Sequence, residues 1–263
     1  MTTIFQLSLG RARARILILA IAFGLFEFLV ALSYAAVDQN VVRELYESLP
    51  PALRAFAGAA DVASPAGYLG SAYIHPIPLV IQGALAISMA TAAARDLEDG
   101  SAELILSRPI HRWRWLAAQA GATALALAVV AAGGFLGGLV GVLSVADLGA
   151  VSLRGLALVS AGGGLLSLAI AGVAVAAAAG VRGGGRAVGW AAGFAVVSYA
   201  LNYLAEVWTL ISPLGRLSVY WYYDPGVILS RTDMAWSSVG VLAGVAMISA
   251  AIALLLIERR EVF

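Results

Sequence analysis

Arg95-Asp96-Leu97-Glu98-Asp99-Gly100-Ser101-Ala102-Glu103-Leu104-Ile105-Leu106-Ser107-Arg108-Pro109-Ile110-His111-Arg112 is the densest charged stretch in a chain that is 62% hydrophobic and 12% charged. Long apolar runs flank it on both sides. A polar loop between two membrane spans is usually a solvated connector, but this one carries more. Ser101 is suited to cap a short helix, and Glu103 then falls in its first turn, where an acid complements the helix dipole. Leu104, Ile105 and Leu106 place apolar surface in the middle of charge. Pro109 biases Arg108 away from helix and marks the end. A short capped helix with an apolar patch, held outside a bilayer, is expected to dock another protein. The candidate partner-binding residues are therefore Glu98, Asp99, Gly100, Ser101, Glu103, Leu104, Ile105, Leu106 and Arg108. The charged members would set register at the rim. The alternative is that the apolar patch packs on the neighbouring spans.

Working outward, a mean hydropathy of +0.93 and several apolar runs of about 20 residues describe a polytopic α-helical membrane protein. The 29 glycines suit membrane helices, where glycine is commoner than in soluble ones. The net charge of +1 gives no reason to expect nucleic acid. With no cysteine, disulfides, thiolate catalysis and thiolate-bound metals are excluded. All 16 basic residues are arginine, which excludes a lysine nucleophile and a Walker A loop. The run Gly183-Gly184-Gly185-Arg186 is thus a turn and not a phosphate cradle. No HExxH, GxSxG or paired-carboxylate pattern appears, and His75 and His111 fall on opposite sides of the membrane. No catalytic, cofactor-binding or metal-ligating residue is expected.

Six spans are predicted, at about 16–37, 74–94, 113–143, 155–181, 187–211 and 236–257. Ahead of them, Arg11, Arg13 and Arg15 with Ile4, Phe5, Leu7 and Leu9 suggest an interfacial helix along the membrane face. The first apolar run exceeds the ~7–15 residues of a signal-peptide core and reads as an uncleaved anchor. Glu27 lies inside it and is expected to face protein or a water-filled cavity. Val41, Val42, Leu45, Tyr46 and Leu49 recur at helical spacing before Pro50-Pro51, as in a helix lying on the outer leaflet. Gly133, Gly137 and Gly141 share one face of the third span and permit close backbone approach, within one bundle or across a homodimer. Asn202 and Glu206 lie late in the fifth span. Residues 212–237 hold Pro213, Tyr220-Trp221-Tyr222-Tyr223 and Asp224-Pro225. They are too polar to span but rich in interface aromatics, and short helices dipping into the outer leaflet are expected.

With the N-terminus in the cytoplasm, eleven arginines lie inside (11, 13, 15, 95, 108, 112, 114, 182, 186, 259 and 260) and five outside (43, 54, 154, 216 and 231). The positive-inside rule supports this orientation, with both termini and the charged loop cytoplasmic. Acids of that loop are expected to pair with nearby arginines. Glu27, Asn202 and Glu206 are candidates for a translocation path or an interface. On these residues an ion-coupled secondary carrier and a non-transporting membrane scaffold stay open beside an exporter.

The charged stretch also resembles a family pattern: an acidic pair, Gly, Ser or Thr, Glu-Leu, Leu, then Pro and a basic residue. This pattern is similar to that of ABC transporter permeases of the type-two exporter (ABC-2) family. Ser64-Pro65-Ala66-Gly67-Tyr68-Leu69, Leu210-Ile211-Ser212-Pro213-Leu214, Tyr222-Tyr223-Asp224-Pro225 and Ile257-Glu258-Arg259-Arg260-Glu261 resemble the same family, so the landmarks run the length of the chain. His111 departs from it, since Ser is commoner there. The resemblance implies an all-α permease, one domain over 1–263, with six transmembrane helices and an N-terminal interfacial helix. It also implies a cytoplasmic coupling helix between spans two and three and a re-entrant segment between spans five and six. Such permeases sit in the prokaryotic cell membrane, pair as homo- or heterodimers, and work with two copies of an ABC ATP-binding subunit. ATP and Mg are then expected in that partner, with no enzyme activity in this chain. An apolar, glycine-lined interior suits lipids, hydrophobic drugs or peptides equally.

Overall fold

A computed structural model describes residues 2–54, 62–100 and 111–259. They form the helices α1 (Thr2–Ala36), α2 (Gln39–Ser48), α3 (Pro51–Arg54), α4 (Pro65–Ile74), α5 (Pro76–Ala90) and α6 (Ala92–Glu98). After these come α7 (Arg112–Ser144), α8 (Leu153–Gly180), α9 (Gly184–Val207), α10 (Pro225–Arg231) and α11 (Trp236–Arg259). Short 3₁₀ turns occupy Ala146–Leu148, Ser212–Leu217 and Tyr220–Tyr222, and there is no strand among the described residues. Six stretches are long and apolar enough to cross a membrane: α1, α5 with α6, α7, α8, α9 and α11. The protein is an all-α membrane bundle, as the apolar runs require.

The N-terminal arm and the first span form one helix instead of two. Ile4, Ala12, Ile16, Ala20, Phe23, Glu27, Ala31 and Tyr34 are all buried, and their spacing makes one continuous stripe. Nothing between Gly10 and Ile16 breaks the helix, and one glycine costs only about 1 kcal/mol. At 35 residues, or ~52 Å, α1 outruns a hydrocarbon core of ~30 Å. Its arginine-bearing turns thus extend past one membrane face.

α1 lies along α7, and small residues set their separation. A Cβ added at Gly24 would come 2.7 Å from the Gly133 carbonyl oxygen. One added at Gly133 would strike the Ala20 backbone, one at Gly137 the Gly24 backbone, and one at Gly141 the Ala31 side chain. The glycine face of the third span is therefore used inside the bundle. α8 is the central helix, with α5, α7, α9 and α11 packed around it.

Proline and capping residues place the breaks. The second span was predicted to begin at 74, but Ile74 ends α4 and Pro76 opens α5. Ser64 caps α4, its Oγ accepting from the Gly67 N–H at 3.1 Å, with Pro65 at the first helical position. Thr91 separates α5 from α6, donating its hydroxyl to the Ile87 carbonyl at 2.7 Å, a back-bond that bends helices. The fifth span, predicted to run to 211, stops at Val207. Beyond it the chain folds back as 3₁₀ turns and α10. Asp224 caps α10, accepting from the Val227 N–H at 3.0 Å. α10 crosses α4 so closely that a Cβ on Gly70 would sit 2.6 Å from the Gly226 Cα. α2 exposes Val41 and Leu45 and buries no residue, as its amphipathic spacing predicts.

Candidate functional site

Two features stand out inside the bundle: a buried polar layer and an apolar groove. The layer starts at Glu27, 1% exposed on the inner stripe of α1. Neither of its carboxylate oxygens has a hydrogen-bond partner among the described residues. One turn earlier, Phe23 stacks edge-on against Tyr73 of α4, with ring centroids 5.9 Å apart. The Tyr73 hydroxyl meets the Ser160 hydroxyl of α8 at 3.1 Å and the Gly134 carbonyl of α7 at 3.4 Å. From the folded-back segment, Tyr223 donates to the Val159 carbonyl at 3.0 Å. It packs on Gly162 and Gly163, where an added Cβ would come 3.0 Å from its ring and its hydroxyl, respectively. Burial, reinforced by Glu27 and Asp224, holds the Tyr223 hydroxyl well above the ordinary phenol value, so it remains a donor. Gln82 of α5 is buried beyond and accepts from the Ser167 hydroxyl at 3.2 Å. Six elements thus converge on a polar layer in an apolar bundle, which membrane proteins retain chiefly for function.

The groove runs between α5 and α9 and has a volume of 520 Å³. Leu79, Val80, Gly83, Ala84, Ile87, Val188, Ala192 and Val196 make its walls. At one end Tyr199 and Tyr220 meet edge-on, with ring centroids 5.4 Å apart. Burial, with Tyr199 adding, pushes the Tyr220 hydroxyl up to about 12. Arg95 stands at the other end. Its guanidinium donates to the Ser88 carbonyl and, at 3.4 Å, to the Thr91 hydroxyl.

The predicted residues are distributed unevenly over these features. Glu27 belongs to the polar layer. Asn202 donates to Glu206 at 2.8 Å on a single turn of α9, and neither is hydrogen-bonded to Glu27. Glu98 is exposed but engaged: its Oε2 accepts from the Gly184 N–H at 2.7 Å. This ties the end of α6 to the turn before α9, where Gly183 adopts φ 95°, a conformation few residues other than glycine adopt. Asp99 ends α6, and Gly100 follows with φ 77°. Ser101, Glu103, Leu104, Ile105, Leu106 and Arg108 lie outside the described residues. An acid of the loop does pair with an arginine, Asp96 with Arg11 at 3.5 Å. Tyr73, Gln82 and Ser160 escaped sequence reasoning, because an isolated polar residue in an apolar run gives no sign of what it will meet. Tyr223 had a signal in the aromatic run but was read as an interface anchor.

A family described as multidrug efflux system permease Rv1217c, C-terminal domain, matches residues 2–256. No curated protein matches this chain. The match takes in every described helix except the last turn of α11 and agrees with the six apolar helices of the bundle. The chain belongs to this multidrug efflux permease family and is a multi-pass membrane permease.

Proposed function

We propose that the chain is the membrane-spanning permease subunit of an ATP-driven ABC exporter, forming the translocation path as a dimer with a second permease. The α5–α9 groove carries this reading. Its 520 Å³ falls within the ~300–1,000 Å³ of small-molecule sites. From Pro76 to Arg95 its wall is ~28 Å of helix, close to the ~30 Å hydrocarbon thickness. Its lining suits apolar or amphipathic drug-sized molecules, and its open side is where a second permease would close it. A chain without lysine leaves ATP and Mg to two partner ATP-binding subunits. The segment Ser101–Leu106 would dock on them in the cytoplasm, where both termini lie. The assembly belongs in the cell membrane.

Gly83 tests the groove. A Cβ added there meets nothing within 4 Å, and Gly83 lines the groove, so the side chain of Gly83→Trp is expected to occupy the groove. Efflux of a hydrophobic dye should fall to background while insertion and ATPase-subunit binding persist. Wild-type efflux from this variant would move the path elsewhere. The unpartnered Glu27 favours a second reading, ion-coupled transport. Depleting ATP while holding the ion gradient separates the two: export that continues supports the carrier.

A further inference from the structure

We infer that the arginine-rich end of the bundle holds an anionic phospholipid, its phosphate seated between α1, α6 and α7. A polar cavity of 180 Å³ lies there, lined by Ser8, Arg11 and Arg15 of α1, Arg95 and Asp96 of α6, and Gln119 of α7. Three guanidinium groups face one carboxylate, so the cavity carries two uncompensated positive charges. Asp96 engages Arg11 at 3.5 Å and thereby offsets one of the three. Ser8 donates to Gln119 at 2.6 Å, and Gln119 donates to the Met89 carbonyl at 3.4 Å, which closes the floor. Arg95 uses two of its five N–H donors on Ser88 and Thr91 and keeps three. Arg15 is exposed and makes no hydrogen bond or ion pair to another described residue. It is a donor fork in search of an acceptor.

The occupant follows from what continues the cavity. Arg11 and Arg15 open a stripe along α1 that runs on through Ile18, Ala22, Leu25 and Leu29 at helical spacing. Ile18 is 64% and Leu25 52% exposed. A basic cavity at the membrane face leading into an open apolar stripe complements a phosphodiester headgroup with its acyl chain. Basic pockets between membrane helices bind anionic lipid headgroups in this way. A soluble anion would use the cavity alone. Trp113, 39% exposed at the start of α7, marks the same level as an interface anchor. The cavity shares Arg95 with the foot of the groove. Its other lining residues belong to α1, the end of α5, α6 and α7 and line no part of the groove, so the lipid assignment does not depend on what the protein exports.

The test is lipid retention by the full-length protein, measured by native mass spectrometry after release from membranes doped equally with phosphatidylglycerol and phosphatidylcholine. Wild type should keep phosphatidylglycerol in preference. Arg15→Gln should reduce that preference about five-fold, the worth of one arginine near an anionic headgroup. Arg15→Lys, which keeps the charge, should retain most of it and shows that the position tolerates change. Arg13, on α1 but not lining the cavity, is the control, and Arg13→Gln should leave the preference unaltered. Equal losses in the Arg13 and Arg15 variants would reduce the effect to a general surface field and overturn the site. Displacement of phosphatidylglycerol by millimolar inorganic phosphate would overturn the assignment to lipid.

Discussion

Glu27 brings a carboxylate to a place where neither oxygen meets a donor. An ionised acid in that setting costs several kcal/mol, so the arrangement is kept for something other than stability. Tyr73 and Tyr223 are its polar neighbours, yet each spends its hydroxyl elsewhere. Glu27→Gln removes the titratable carboxyl and keeps the shape. We expect the thermal midpoint to stay within a few degrees, since 1 kcal/mol moves it only ~2–4 °C in a protein this size. Export should fall far more than expression does. Wild-type export with an unchanged midpoint would make Glu27 a silent core residue. This acid was legible in the sequence because a charge inside an apolar run announces itself. Tyr73, Ser160 and Gln82 were not, because their importance lies in meeting one another across more than 80 residues.

At the scale of elements, the glycines divide into two kinds that spacing alone does not separate. Gly133 and Gly137 are pinned against the α1 backbone, whereas Gly193 and Gly240 have nothing within 4 Å where a side chain would project. Gly137→Val should push α1 away from α7 and destabilise the protein by roughly 1–3 kcal/mol or more, the usual cost of overpacking. Gly193→Ala should be neutral or stabilising by up to about 1 kcal/mol, the helix-propensity difference. Thermal melts of the two variants in one detergent check both, and equal midpoints would contradict the packing. Hydropathy marked six helices well because each run is long. It misplaced the ends of the first, second and fifth spans for separate physical reasons. Arginines in α1 lower hydropathy without breaking the helix, Pro76 starts a new helix within an apolar run, and α9 stops at Val207 although Trp208–Ile211 remain apolar.

For the whole molecule the open question is how work reaches the groove. On the proposed function it arrives through Ser101–Leu106. Leu104 and Ile105 would each gain about 1.5–3 kcal/mol on burial in a partner. Replacing both with Asp should therefore weaken ATPase-subunit binding by at least about a hundred-fold, while the bundle still inserts. Copurification of the two subunits reads the outcome, and undiminished binding would remove this segment from the interface. Its candidacy rested on capping, charge and resemblance, all visible in the sequence.

The Glu98–Gly184 hydrogen bond has a mechanical consequence. The two walls of the groove are separate helices along most of their length, but here the foot of one is clasped to the foot of the other, with Arg95 filling the space a side chain at Gly184 would need. A pair of tongs joined at the handle spreads at the tips. While the clasp holds, the walls part most readily at the tyrosine end, and a displacement of α6 moves both feet together.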